Sequence, residues 1–376
     1  MRELRDILDV WTSRPDETFV LATVVDVLGS SYRKPGARML IERDGTRHGL
    51  ISGGCLEKDV ARQAFGWTEE GPRTVVFDTR SNELHPRGPY GTGCEGVVQV
   101  LLERVGPDRP EPMEALEALL EGGSPRSLAT VFASCADDSL VGTHLTPPDA
   151  SWPAAIPERV ADILSESADA SRPQTVELDA GGGALKLLVE PLRPPLDLLI
   201  FGAGDDVRPL VGLADEMGWN VRVASPRSTL ATAQRFPKAR EIVTDPVDVL
   251  IDNVDVCSHT SVVIMTHDFD ADAALVPAML ASEAAFVGLL GPRSRTRRLI
   301  EQMRDEGRLP EPSALERLQT PLGLDLGGES PAEVALSIVS AVLADRRGGA
   351  GVPLQDQQGR IHEPHRRRTE TSEAAE

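Results

Sequence analysis

Two patterns of apolar and polar positions follow one another along the chain. In the first, helical and strand periodicities come in no regular order, starting with MRELRDILDVWTS, which places Leu4, Ile7, Leu8 and Trp11 on one side of an amphipathic helix. Thr18 to Leu28 is rich in β-branched residues and predicts a long strand. A second strand runs from Ala37 to Glu42, Asp44-Gly45 forms a hairpin turn, and the chain returns through Leu50 and Ile51. Cys55 to Phe65 has helical spacing, Arg73 to Asp78 and Val97 to Leu102 read as strands, and Glu111 to Glu121 as a helix. Strands at Ser127 to Ser134 and Leu140 to Leu145, a helix at Ile156 to Ser167, and strands at Thr175 to Leu178 and Ala184 to Glu190 complete this half. Gly181-Gly182-Gly183 joins the last two as a hairpin. Such a mixture predicts an α+β domain over residues 1–190, ending at a Pro191 to Pro195 linker.

Beyond the linker the alternation is regular: strand 198–201, helix 206–217, strand 221–224, helix 229–235, strands 241–243 and 261–266, helix 271–282, strand 285–290, helix 294–305. Leu198 to Phe201 is an unbroken apolar run, as in a parallel strand covered on both faces. It enters the turn Gly202-Ala203-Gly204 and then a helix. The fold class is therefore α/β: the α+β domain is followed by a Rossmann-like, doubly wound parallel-sheet domain over residues 196–347. Small residues in such a turn let backbone amides approach a phosphate, although Gly202 and Gly204 also permit tight packing. Val207 stands where a third glycine is usual. Ser225-Pro226-Arg227 stands where a ribose-binding acid is usual, and Arg227 makes NADP the alternative cofactor. Ligands of this fold lie beyond the carboxyl ends of the strands, which selects the loops Gly202 to Asp206, Thr266 to Asp268 and Gly288 to Arg293. Gly323, Gly327 and Gly328 mark a further loop before Ser330-Pro331-Ala332-Glu333, a capping box that opens a helix stopped at Gly348. Residues 348–376 are polar and are expected to be disordered.

Composition narrows the chemistry. The chain has 376 residues and a formal net charge of −20, which argues against nucleic acid as a partner. No run is long and apolar enough for a membrane span, the amino terminus does not read as a signal peptide, and the expected location is the cytoplasm. Cys55, Cys94, Cys135 and Cys257 have no C-x-x-C spacing, which fits free thiols in a reducing compartment. Ser52-Gly53-Gly54-Cys55 sets Cys55 near a helix start, where partial positive charge favours thiolate; the alternative is a small residue packed under the helix. Gly91-Thr92-Gly93-Cys94-Glu95-Gly96 exposes a sulfur and several amides, or is a turn with an incidental thiol. His85, just before it, reads as solvated. His267 either contacts a ligand or bonds backbone beside a helix cap at Asp268 or Asp270. Arg293, after Gly291, is placed to offset phosphate charge, whereas Arg295, Arg297 and Arg298 read largely as a solvated face.

The stretches GSSYRKPGARMLI, ISGGCLEKDV, GTGCEG, IFGAGDD, RFPKA, IMTHDFD, VGLLGPRSR and GLDLGGESPAEVALSI occur in an order and spacing that resembles the XdhC/CoxI family, over about residues 5 to 347. These are accessory proteins for molybdenum hydroxylases such as xanthine dehydrogenase and CO dehydrogenase. The resemblance implies a chaperone that binds the molybdenum cofactor, as molybdopterin or its dinucleotide form, and delivers it to the hydroxylase large subunit. For some members it implies support of sulfuration with a cysteine desulfurase. It also implies a homo-oligomer. The matching positions are Ser52, Gly53, Gly54 and Gly93 for cofactor binding, and Cys94 and Cys55 for the chemistry, with Cys94 toward the metal. The Rossmann turn adds Gly202, Gly204 and Asp205, and the loop after Gly291 adds Arg293, as cofactor-binding candidates, with His267 as a further catalytic candidate. Four positions depart from many members: Asp205 replaces a His, Ser225 an acid, Phe269 a second His, and Glu95 a Gly.

Overall fold

The computed structural model of the chain describes residues 2–80, 96–121, 126–135, 137–146, 152–153, 155–168, 170, 172–180, 183–356 and 366–370. It divides into two compact units, one built from residues 3–194 with the strand Arg366–Glu370, the other from residues 195–361 with Arg2.

The N-terminal unit contains α1 (Arg2–Ser13), β1 (Phe19–Gly29), β2 (Arg38–Ile41), β3 (Arg47–Gly49), α2 (Glu57–Trp67), β4 (Arg73–Asp78), β5 (Gly96–Val105), α3 (Glu111–Glu121), β6 (Arg126–Ser134), β7 (His144–Leu145), α4 (Arg159–Ser167), β8 (Gln174–Asp179) and β9 (Ala184–Leu192). One antiparallel sheet has the order β3-β2-β1-β5-β4, and β8, β9, β6 and β7 make a second. β1 is buried along nearly its whole length because both its faces are covered. Val20, Ala22 and Val24 pack under α2, and Val25 meets Leu101, Phe132 and Leu188 of β5, β6 and β9. A register shift between Val24 and Asp26 turns Asp26 toward Thr175 of the second sheet, whose hydroxyl donates to its carboxylate at 3.2 Å.

Several elements differ from the sequence reading. The strand expected at 140–145 shrinks to β7, because Asp137 accepts the amide of Ser139 and starts a 3₁₀ turn, and Gly142 follows at φ 81°. The chain returns along β2 at Arg47–Gly49, ahead of Leu50 and Ile51. Against the expectation of a disordered tail, Arg366–Glu370 pairs in parallel with β8. An exposed strand edge needs only backbone partners, so an arginine-rich segment serves there as well as an apolar one. Gly181 and Gly182 lie outside the described residues.

The C-terminal unit contains β10 (Asp197–Phe201), α5 (Val207–Glu216), β11 (Asn220–Ala224), β12 (Glu241–Val243), α6 (Val247–Asn253), β13 (Thr260–Ile264), α7 (Phe269–Ala281), β14 (Phe286–Leu289), α8 (Arg293–Asp305), α9 (Pro312–Leu315), β15 (Leu318–Gln319) and α10 (Pro331–Arg347). Its six strands are parallel in the order β12-β11-β10-β13-β14-β15. Leu198 and Ile200 face α5 and α10, while Leu199 and Phe201 face α6 and α7, which is the physical basis of the uninterrupted apolar run. The doubly wound expectation therefore holds. No helix forms at 229–235: the amides of Arg227 and Arg235 bond to the hydroxyls of Ser225 and Thr232, and such local bonds break the segment into separate turns. α6 was not expected, although Val247, Leu250 and Ile251 have helical spacing behind Pro246.

Candidate functional site

Among the described thiols, Cys55 is half-buried, while Cys135 and Cys257 are exposed. The Ser52 to Cys55 turn is tied down from below. Ser52 and Glu57 are both buried, and the Glu57 carboxylate accepts the Ser52 amide at 2.7 Å and the Ser52 hydroxyl at 2.5 Å. The same hydroxyl oxygen accepts the amides of Gly54 at 3.2 Å and Leu56 at 3.1 Å, and lies 3.4 Å from the Cys55 sulfur. Leu56, the residue before α2, has no side-chain cap of its own, so Ser52 satisfies one of the free amides at that helix start. Cys55 therefore stands two residues ahead of the helix on a short turn braced by Ser52 and Glu57. Gly54 has φ 104° with open space over its α-carbon, and the Tyr32 ring lies against Gly53. This turn can present a sulfur and a bare backbone to a ligand. Glu57 was missed by the sequence reading, although its place five residues after Ser52 in a first helical turn was visible. Cys94 and Gly93, with His85, Gly91, Thr92 and Glu95, lie outside the described residues.

A second arrangement occupies the carboxyl end of the parallel sheet, where β10 and β13 part company and the strand order reverses. Gly202 has φ 140°, and a β-carbon there would sit 2.4 Å from the Met265 carbonyl oxygen, so its first role is close packing between strands. Asp206 takes the residue before α5 without capping it, and directs its carboxylate to His267 Nε2 at 2.7 Å. A carboxylate only accepts, so Nε2 is the donor in this bond. His267 is 59% exposed and holds φ 57°, a left-handed backbone for a non-glycine residue. Asp268 caps α7 by accepting the amides of Asp270 and Ala271. The capping expectation for this loop holds at Asp268, while His267 bonds the Asp206 side chain and not the backbone.

Asp205 is 81% exposed and pairs with Arg235 at 3.0 Å, and Arg235 also donates to the Ala203 carbonyl at 3.3 Å. The glycine turn therefore carries two adjacent carboxylates where a dinucleotide sets its diphosphate; Arg235 and, at 3.9 Å, Arg208 pair with Asp205, and His267 with Asp206. Carboxylates at that position disfavour a diphosphate. Arg293 opens α8 after Pro292 and stands exposed, away from any carboxylate partner among the described residues. Arg295 instead turns inward, donating to the buried Asp272 at 2.7 Å, and Asp272 also accepts from Thr266 at 2.5 Å. No group of three or more His, Cys, Asp or Glu that could hold a metal ion occurs among the described residues, and no helix among them is long and apolar enough to cross a membrane.

Residues 198–342 match the XdhC Rossmann domain and residues 13–78 match the XdhC and CoxI family. The chain is 30% identical over 351 residues to a Bacillus subtilis protein described as a probable xanthine dehydrogenase subunit, covering 92% of this chain and 98% of that one. It is 22% identical over 328 residues to the molybdenum cofactor insertion chaperone PaoD of Escherichia coli, covering 87% and 83%. A solved structure from Bacillus halodurans, described as a xanthine dehydrogenase, aligns with a TM-score of 0.73 at 30% identity, covering 94% of this chain and 99% of that one. The chain belongs to the XdhC and CoxI family.

Proposed function

We propose that this protein is a maturation factor for a molybdenum hydroxylase: it binds the molybdenum cofactor and hands it to the large subunit of the apo-enzyme. The observation that carries the reading is the Ser52 to Cys55 turn, in which a half-buried thiol and two glycines rest on the buried Ser52–Glu57 pair. A molybdenum–sulfur centre is soft, and thiolate is the protein ligand suited to it. In this reading Cys94 takes the metal side, Cys55 assists, Ser52 holds the turn in place, and Gly53 and Gly54, with Gly93, contribute bare backbone to binding of the pterin. His267, oriented by Asp206, holds or moves a proton at Nδ1, next to Gly202, Gly204 and Asp205. A cysteine desulfurase supplying sulfur, a homo-oligomeric assembly and a cytoplasmic setting complete the proposal. The names of the Bacillus subtilis and Escherichia coli relatives support it.

The test is the molybdenum and pterin content of protein purified from a cofactor-producing host. Wild type should retain both, and Cys94→Ser and Cys55→Ser should retain less while keeping the same circular dichroism spectrum. Equal content in all three would overturn the assignment of the thiols. An NADP-dependent oxidoreductase, the alternative suggested by Arg227, predicts a rise in melting temperature with NADP. The paired carboxylates of Asp205 and Asp206 lead us to expect none with either NAD or NADP.

A further inference from the structure

α8 starts with the wrong sign of charge. Its first turn contains no acidic residue and begins with Arg293, although the positive end of a helix dipole favours carboxylates there. Its five arginines fall into two groups. Arg295 pairs with Asp272 and lies over the Phe269 ring at 5.4 Å, and Arg298 lies over the same ring at 5.2 Å, so these two are accounted for by packing. Arg293, Arg297 and Arg304 are exposed and make no ion pair among the described residues. They line a groove of about 270 Å³ with Thr296, Ile300 and Thr320, and a single acid, Glu301, shares it. The two threonine hydroxyls bond to each other at 2.7 Å and hold the groove wall in place.

We propose that this groove docks an extended acidic segment of a partner protein. From Arg293 to Arg304 the helix advances eleven residues, about 16 Å, which exceeds the reach of one phosphate or carboxylate. An extended chain presents same-side carboxylates roughly every 6.6 Å, comparable to the rise of about 6 Å between Arg293 and Arg297. Ile300 gives the segment an apolar floor, and the free amides of the uncapped helix start favour a carboxylate at that end. The chain as a whole is acidic, at a net charge of −20, so an acidic partner is repelled elsewhere and drawn to this stripe. The proposal does not depend on the cofactor reading.

A fluorescently labelled decaglutamate peptide tests it by anisotropy on the full chain. Wild type should bind with an affinity that falls as salt rises, and the triple variant Arg293→Glu, Arg297→Glu, Arg304→Glu should bind at least about ten-fold more weakly. The glutamine triple should fall between the two. A charge-matched control, Arg62→Glu, Arg73→Glu, Arg126→Glu, should bind like wild type within about three-fold. Absence of binding at low ionic strength, equal loss in the control, or displacement of the peptide by pyrophosphate at equimolar concentration would each overturn the proposal, the last by making the groove a small-anion site.

Discussion

His267 shows how much one residue depends on its surroundings. At φ 57° it pays a backbone cost of order 1–2 kcal/mol that glycine avoids, and the bond to Asp206 is what the position gains in return. His267→Gly should therefore be more stable than His267→Ala by about 1 kcal/mol in urea unfolding, since both lose the imidazole and only one keeps the strain. Equal stabilities would mean that the backbone relaxes freely. Ser52 makes the opposite case. Ser52→Ala leaves the amides of Gly54 and Leu56 and one oxygen of Glu57 without their partner, and should cost about 1–3 kcal/mol by the same measurement. Cys55 and His267 were legible in the sequence because a thiol after two glycines and a histidine at a strand end are local features. Asp206 was not, since its partner lies 61 positions away in the chain.

Among the elements, α10 follows its sequence most closely. Ser330 accepts the Glu333 amide, Glu333 accepts the Ser330 amide at 2.8 Å, Pro331 opens the helix, and Gly348 ends it at φ 66°. Ser330→Ala should cost about 1 kcal/mol of stability. The backbone amide of Ser330, and after it the hydroxyl, hold the Glu333 carboxyl below the usual carboxylate range. A depressed folded pKa contributes stability above the unfolded value and loses it as pH falls through the folded one. The melting-temperature deficit of Glu333→Gln should accordingly be present at neutral pH and vanish on acidification through that range; a deficit independent of pH would show that charge plays no part. The segment 229–235 failed as a helix for the reason α10 succeeded. In both, short polar side chains bond nearby amides; at Ser330 that bond starts a helix, and at Ser225 and Thr232 it stops one from forming.

At the scale of the whole molecule, buried polar contacts join elements far apart in sequence. In the N-terminal unit Arg38 of β2 and Glu190 of β9 form a bidentate pair, 7% and 4% exposed, between the two sheets. Removing one partner strands the other charge, so Glu190→Ala should cost about 3–5 kcal/mol in chemical denaturation, while Arg38→Met with Glu190→Leu should recover much of it. No loss in the single variant would mean that water reaches the pair. The contrast defines what each level of description decides. The amino-acid sequence by itself determined the α+β and doubly wound classes, the Gly202 turn, the Ser330 cap and the stop at Gly348, because periodicity, capping and positive φ depend on residues within a few positions of one another. Only the tertiary structure decided that His267 meets Asp206, that Arg38 meets Glu190, that Arg295 turns inward while Arg293 and Arg297 stay exposed, and that Arg366–Glu370 joins an edge strand. Those pairings depend on strand order and register, which emerge only when distant segments compete for the same neighbours.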